Sequence, residues 1–177
     1  MAGKLSFVVA LLLCTSLMLS PVFSSPFGQE KVTHLHFYLN DIISGKEPTA
    51  VLVAKADSPT GPSTTPFGNV YATDDLLTDE PGGNVIGNAQ GLWVSSGKEE
   101  LSLVLLMDFG FTSGPYNGSS ISIFSRNQVL QETRALAVVG GRGQFRLARG
   151  FAELRTYYLN NTNGDAIIEY KVTVLHY

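Results

Sequence analysis

Beyond position 31, the apolar residues recur with a period of two or in short runs, which is the pattern of β-strands. Clusters of Gly, Pro, Asn and Asp separate these runs at intervals typical of strands joined by hairpins. This pattern predicts no amphipathic helix, and strands over residues 32–43, 50–56, 67–74, 84–95, 100–111, 119–125, 128–139, 144–158 and 165–176. Eight or nine strands with short connections predict an all-β domain, either a closed antiparallel barrel or a sandwich.

The N-terminal residues follow a different pattern. A positive charge at Lys4 precedes an apolar run over residues 5–19, and small residues follow. This is the layout of a secretory signal peptide, and the run is shorter than the roughly 18 to 20 apolar residues that span a membrane. We predict a signal peptide at residues 1–24, a mobile N-terminal tail at 25–31 and one β-domain at 32–177. The protein is therefore expected to be secreted, with no membrane anchor.

Composition narrows the possible functions. The single cysteine, Cys14, lies in the predicted signal peptide, so cysteine nucleophiles and thiolate zinc sites are excluded from the mature protein. Removing Lys4 with that segment leaves 11 basic residues against 15 acidic ones, a net charge of −4. A negative chain without a basic cluster argues against nucleic acid as a partner.

Two triplets in the predicted mature region match the acceptor pattern for N-glycosylation, Asn117-Gly118-Ser119 and Asn160-Asn161-Thr162. Both lie in polar, turn-like stretches where a glycan can be accommodated. We predict glycosylation at Asn117 and Asn160.

The segment 101–107, Leu-Ser-Leu-Val-Leu-Leu-Met, is apolar on both faces of its predicted strand. A half-solvated antiparallel strand alternates instead, so something is expected to cover the outer face. In a closed barrel the cover would be another subunit, which predicts a homo-oligomer. A central strand of a sandwich, covered within its own chain, would give the same pattern.

Two charged residues extend faces that are otherwise apolar. Alternation places Asp41 on the same face as Leu35, Phe37 and Leu39, where a carboxylate has to be paired, hydrogen-bonded or protonated. The strand can equally end at Leu39, in which case Asp41 starts a turn.

Arg149 has a comparable position, because it shares one strand face with Phe145 and Leu147. An inward guanidinium could pair with Asp41 and donate hydrogen bonds to a phenol oxygen. A structural ion pair, or an exposed arginine on the opposite face, fits the same pattern. The three histidines lack the spacing of a metal site, and we predict no metal.

Several motifs in order along the chain resemble the dirigent proteins of plants over residues 32–177. The matching segments are His36-Phe37-Tyr38-Leu39-Asn40-Asp41, Phe67-Gly68-Asn69, Asp74-Asp75-Leu76-Leu77-Thr78, Ala89-Gln90-Gly91, Tyr116-Asn117-Gly118-Ser119, Val138-Val139-Gly140-Gly141, Phe145-Arg146-Leu147-Ala148-Arg149-Gly150 and Glu169-Tyr170-Lys171-Val172. The resemblance implies an eight-stranded antiparallel β-barrel, related to allene oxide cyclase and assembled as a homodimer or homotrimer in the apoplast.

The resemblance also implies a function. Dirigent proteins hold a phenolic radical, supplied by an external oxidase such as a laccase or peroxidase, so that monolignol-type phenols couple on one face. They have no oxidising activity and no cofactor of their own. The family's pocket acid and pocket arginine carry over by motif onto Asp41 and Arg149, with Asp41 as the acid that closes the ring of a quinone methide.

One departure from the family pattern favours a different branch. Lignan-forming members often carry an acid at the position of Gln144, so this chain resembles the branch that does not form pinoresinol. That branch includes proteins that close a pterocarpan ring by dehydrating an isoflavanol through a quinone methide. The alternative function is therefore a dehydratase, which would be an enzyme in its own right.

Overall fold

The computed structural model describes residues 27–56 and 67–177. The predicted signal peptide, the first two residues of the predicted tail, and residues 57–66 lie outside the described residues. The strands are β1 (Lys31–Asp41), β2 (Ala50–Ala54), β3 (Val70–Thr78), β4 (Val85–Ser95), β5 (Ser102–Phe111), β6 (Ser120–Gln128), β7 (Arg134–Arg142), β8 (Arg149–Leu159) and β9 (Ala166–His176). Two single-turn 3₁₀ helices lie at Gly114–Tyr116 and Gly143–Phe145.

The strands close into a barrel, as predicted. Every adjacent pair is antiparallel, and the ring runs β1-β9-β8-β7-β6-β5-β4-β3. Pairing of Tyr38 with Thr78 and of Asn40 with Leu76 joins β3 back to β1. Strand β2 pairs with the first half of β3, outside this ring of eight. Because the sheet closes on itself, the sandwich alternative is wrong.

The barrel interior is filled by alternate residues of each strand. In β1, Leu35, Phe37 and Leu39 are buried, whereas His34 and His36 face outward. The Phe37 ring stacks on Tyr170 of β9 with centroids 5.4 Å apart. Within residues 27–56 and 67–177, no helix is long and apolar enough to cross a membrane.

Aromatic rings plug the end of the barrel where β1 begins. The Phe145 ring lies 5.0 Å from Tyr116, 5.1 Å from His176 and 6.1 Å from Phe111, measured between centroids. Phe145 is fully buried. We call this end of the barrel the closed end.

Strand β3 extends further than the sequence predicted. The prediction stopped at residue 74, because two consecutive aspartates are typical of a solvated loop. In the structure, Asp74 faces outward and accepts hydrogen bonds from Asn88 and Gln90, whereas Asp75 faces the interior. The strand therefore continues to Thr78.

The outer surface of β4, β5 and β6 carries an apolar stripe. Leu92, Leu106 and Phe124 are neighbours across these strands, and their exposed fractions are 39%, 44% and 56%. No second sheet covers this stripe in the described part of the chain. The two-sided apolar pattern of residues 101–107 thus reflects a core face and an exposed apolar face.

Candidate active site

A cavity of about 150 Å³ opens at the opposite end of the barrel, where β1 ends. Its inner wall includes Trp93 and Arg134, which are only 3% and 4% exposed. Its rim includes Leu130 and Leu159, which are 77% and 42% exposed. The lining residues are Asp41, Ile43, Trp93, Leu101, Leu103, Asn127, Val129, Leu130, Arg134, Thr156, Leu159, Gly164, Ala166 and Ile168. We call this end the open end.

Polar atoms without partners are concentrated in this cavity. Seven buried side-chain polar atoms find no hydrogen-bond partner within the described residues, and four belong to residues that line the cavity. These four atoms are Asp41 Oδ1, Trp93 Nε1, Asn127 Oδ1 and Arg134 Nε. Because each such atom costs about 1–3 kcal/mol when left unpaired, the cavity is suited to a ligand that carries hydrogen-bonding groups.

Asp41 is the last residue of β1 and continues the inner face of Leu35, Phe37 and Leu39. The alternative in which the strand ends at Leu39 is therefore wrong. Burial raises the pKa of the Asp41 carboxyl above its ordinary value, and the negative charge of Asp165 raises it further. A carboxyl group that keeps its proton above the usual range can serve as a general acid.

A second carboxyl lies close to Asp41 inside the barrel. Asp75 is 1% exposed, and Thr49 Oγ1 donates a 2.6 Å hydrogen bond to its Oδ1. Burial raises the pKa of Asp75, and the charge of Asp41 raises it as well, while the bond from Thr49 acts in the opposite direction. The two carboxyls titrate as a pair that retains a proton above the ordinary range of aspartate.

Arg134 supplies the positive charge of the cavity. Its guanidinium donates to Thr156 Oγ1 at 3.0 Å and to the Val129 carbonyl at 3.4 Å. No carboxylate of the described residues lies within 4.0 Å of it. Burial lowers the pKa of Arg134, although a guanidinium remains charged in proteins. Arg134 is therefore available to bind a ligand oxygen.

Tyr170 lies beneath these charged groups. Its hydroxyl group is fully buried, and this burial raises its pKa far above the ordinary value for tyrosine. Asp41 and Asp75 raise it further, whereas Arg134 lowers it. Tyr170 therefore stays a neutral phenol in the core, and it does not line the cavity.

The predicted interior role of Arg149 is wrong. Arg149 pairs with Leu175 in the ladder and Asp41 pairs with Ala166, nine residues away along β9, which corresponds to about 30 Å. The Arg149 side chain is 57% exposed and binds Glu30 at 2.6 Å. The alternative of an exposed, ion-paired arginine is therefore the one that the structure supports.

The turn before β8 explains why the alternation of apolar residues gave the wrong position for Arg149. Phe145 ends a 3₁₀ turn instead of lying in a strand, and Leu147 has a positive φ angle of 59°, so strand alternation does not run from Phe145 to Arg149. Phe145 and Ala148 are buried, which leaves Arg149 on the outer surface. Alternation then resumes with Ala152 and Leu154 inside.

Sequence reasoning missed Asp75, Trp93, Asn127 and Arg134. A signal was present for two of them. Arg134 lies on the same strand face as the buried residues Leu136 and Val138. Asn127 likewise lies on the same strand face as Ile121 and Ile123. A polar residue that continues a buried face is the same signal that identified Asp41.

The described residues form a closed antiparallel barrel with an acid-containing cavity at its open end, an architecture typical of barrels that bind small molecules. The barrel itself is also found in a pyocyanin demethylase structure, which is 12% identical, covers 80% of this chain and 99% of that chain, and has a TM-score of 0.53. At that identity, the similarity concerns the fold alone.

The family follows from closer similarities. Residues 32–175 match the family model of dirigent-like proteins, and the chain belongs to the dirigent family. It is 46% identical over 151 residues to dirigent protein 23 of Arabidopsis thaliana, covering 84% of this chain and 80% of that protein. It is 44% identical over 154 residues to pterocarpan synthase 1 of Glycyrrhiza echinata, covering 85% and 81%.

A solved structure has the same barrel at a similar level of identity. The structure of the pterocarpan synthase dirigent protein GePTS1 superposes with a TM-score of 0.78 at 42% identity, covering 84% of this chain and 87% of that chain. Dirigent proteins and pterocarpan synthases are thus both among the relatives of this chain.

Proposed function

We propose that the protein is a dehydratase, which removes water from a phenolic compound with a benzylic hydroxyl group and guides the ring closure that follows. The supporting observation is Asp41, whose Oδ1 is buried without a partner in the described chain and whose pKa is raised, facing a cavity that also contains Arg134. The pterocarpan synthases of Glycyrrhiza echinata and Glycine max, both 44% identical to this chain, support an isoflavanol as the substrate.

The reaction is a loss of water without oxidation. The phenolic hydroxyl of the substrate ring releases its proton to solvent, and Asp41 gives its proton to the benzylic hydroxyl. The benzylic C–O bond breaks, which leaves a quinone methide and one water molecule. A second phenolic oxygen of the substrate then attacks the benzylic carbon and closes the ring.

The protons return in the closing step. The attacking hydroxyl gives its proton to the Asp41 carboxylate, and the first phenolic oxygen regains a proton from solvent. Arg134 stabilises the negative charge that develops on that first oxygen. Once Asp41 has given up its proton, its negative charge opposes ionisation of Asp75, so the carboxyl pair retains one proton.

Stereoselective coupling of phenoxy radicals is the second candidate. The cavity favours it in one respect, because about 150 Å³ accommodates roughly one aromatic ring, and the cavity opens to solvent on one side. A monolignol-type radical held there would present a single face to its partner. An external laccase or peroxidase would supply the radical, and Asp41 would protonate the quinone methide formed after coupling.

Chiral chromatography of products distinguishes the two candidates. One reaction contains an isoflavanol and the purified protein, and the other contains a monolignol, a one-electron oxidant and the protein. We expect ring closure of the isoflavanol without oxidant, with an enantiomeric excess. An enantiomeric excess only in the oxidant reaction would instead establish radical coupling and reject the dehydratase.

We also propose that the protein is secreted, is glycosylated at Asn117 and Asn160, and assembles as a homodimer or homotrimer. Asn117 is exposed, and the Asn160 side chain lies in a surface turn, where its Oδ1 accepts the backbone N–H of Thr162. The outer stripe of Leu92, Leu106 and Phe124 supports an interface between copies. Light scattering of Phe124→Asp against the unchanged protein tests it, since the variant is expected to be monomeric.

A further inference from the structure

Asn127 presents an unsatisfied hydrogen-bond acceptor to the cavity. The residue is 7% exposed, its Oδ1 has no partner within the described residues, and it lines the cavity wall. A buried acceptor of this kind is satisfied when a ligand donates a hydrogen bond to it. The mechanism proposed above gives Asn127 no role.

Asn127 and Arg134 line the same cavity from neighbouring strands. The last paired residues of β6 and β7 are Ile123 and Val138; continuing that register by four residues brings Asn127 level with Arg134, and Arg134 donates to the carbonyl of Val129, two residues beyond Asn127. Arg134 Nε is also buried without a partner in the described chain. One acceptor and one donor are therefore adjacent on the same wall. A hydroxyl group can satisfy both, because it donates one hydrogen bond and accepts another.

Asp41 lies across the cavity from this pair. In the ring of eight strands, β6 is four strands from β1 in either direction, so Asn127 and Asp41 lie on opposite walls. A ring that places its benzylic hydroxyl at Asp41 thus directs its far edge at Asn127. In a para-substituted ring, that edge carries the phenolic oxygen from which a quinone methide forms.

We propose that Asn127 is a specificity-determining residue that selects ligands with a free hydroxyl on the ring edge opposite Asp41. This rests on the proposed function for the orientation of the ligand. A methyl ether can accept from Arg134 but leaves Asn127 Oδ1 unpaired. A ring with hydrogen at that position leaves both atoms unpaired. Discrimination by an unpaired buried group is stronger than discrimination by size alone.

Three small alcohols test the proposal by binding alone: 4-hydroxybenzyl alcohol, 4-methoxybenzyl alcohol and benzyl alcohol. Trp93 is the only tryptophan of the chain and lines the cavity, so its fluorescence reports occupancy. We expect the unchanged protein to bind 4-hydroxybenzyl alcohol about tenfold or more tightly than either analogue. Benzyl alcohol is the smallest of the three, so steric exclusion would not explain its weaker binding, and 4-methoxybenzyl alcohol, which is larger than 4-hydroxybenzyl alcohol, controls for lost contact area.

Asn127→Leu removes the acceptor at similar volume and is expected to bind the three alcohols within about threefold of one another. Asn69→Leu is the matched control, because Asn69 is also buried with an unpartnered Oδ1 in the described chain but does not line the cavity. This control is expected to keep the preference. Circular dichroism checks that both variants are folded.

Three outcomes would overturn the proposal: equal binding of the three alcohols by the unchanged protein, a preference retained in Asn127→Leu, or no binding of any of them. Failure of the dehydratase is distinguishable from these. A preference that is lost in Asn127→Leu, together with no water loss from any isoflavanol, would keep the binding role of Asn127 and reject the reaction.

Discussion

The two ends of the barrel are built from the same strands but bury different chemistry. At the closed end, Phe111, Phe145 and the buried His176 form an aromatic plug together with the partly exposed Tyr116, and no charged carboxylate or guanidinium is among these four residues. At the open end, inward positions of the same ladder carry Asp41 and Arg134 around a cavity. The aromatic packing of the closed end stabilises the fold. The buried charged groups of the open end lower the stability, but they remain available to a ligand.

The largest effect is expected from Asp41→Asn, which removes the proposed acid at the open end with almost no change in shape. Isoflavanol ring closure should fall by about 10²- to 10⁴-fold, because general acid catalysis contributes an effect of this size. Stability should be unchanged or higher, since the side chain no longer ionises in a buried position. The measurements are a rate by chromatography and a thermal unfolding curve.

An Asp41→Asn variant that retains most of the activity would show that another group donates the proton. Asp75→Asn would then be the variant to assay. Loss of activity together with a loss of stability would instead show that Asp41 has a structural role, and the contrast between the two ends would not hold.

Phe145→Ala tests the closed end, where we expect a loss of stability without a loss of ligand binding. The ring is fully buried against Tyr116, Phe111 and His176, so its removal should cost about 3–5 kcal/mol of unfolding free energy. Ligand binding at the open end should persist at temperatures where the variant is folded. Urea unfolding measures the first effect, and Trp93 fluorescence with 4-hydroxybenzyl alcohol measures the second. A binding defect in the folded variant would show that the two ends are coupled.

Asp75→Asn tests how much a buried carboxyl group at the open end lowers the free energy of unfolding. The folded-state pKa of Asp75 is raised, so the folded protein binds more protons than the unfolded chain between the ordinary and the raised value. Its unfolding free energy therefore falls as the pH rises through that interval, starting near the ordinary value of about 4. Asn accepts the bond from Thr49 but does not ionise.

The variant is accordingly expected to match the unchanged protein near pH 4 and to be more stable by about 1–3 kcal/mol at pH 8. Urea unfolding at both pH values measures this difference. Equal stability at pH 8 would show that the carboxyl of Asp75 is compensated in the folded state. Thr49→Val removes the opposing hydrogen bond and should increase the loss of stability at high pH.

The sequence predicted the barrel better than the site, and particular residues show why. Strands follow from local alternation, which is why β1, β4 and β9 were predicted within a few residues of their observed bounds. Asp41 was found because it continues three apolar residues in one unbroken strand. Arg134 extends the face of Leu136 and Val138 in the same way, but the predicted strand ran through the turn before it, which hid its position as the first residue of β7.

Arg149 shows the limit of pattern reasoning most clearly. Its predicted inward position assumed strand alternation from Phe145, but Phe145 ends a 3₁₀ turn and the left-handed Leu147 lies between the two residues, so the alternation does not hold. Asp75 was missed for a different reason, because its neighbour Asp74 gave both residues the composition of a loop. Which charged residues meet inside the barrel depends on ladder register between strands distant in sequence, and a single sequence does not contain this information.

The smallest effect is expected from Arg149→Leu, at the outer surface of the closed end. The side chain is 57% exposed and forms a surface ion pair with Glu30, an interaction that contributes little to stability in general. Ring closure and enantiomeric excess should equal those of the unchanged protein, and the melting temperature should shift by no more than about 2 °C. Arg134→Leu is the matched comparison, because it removes the same charge from the cavity and should lower the rate and ligand affinity. If Arg149→Leu also abolished stereocontrol, the closed end would take part in function, and the division between the two ends would have to be abandoned.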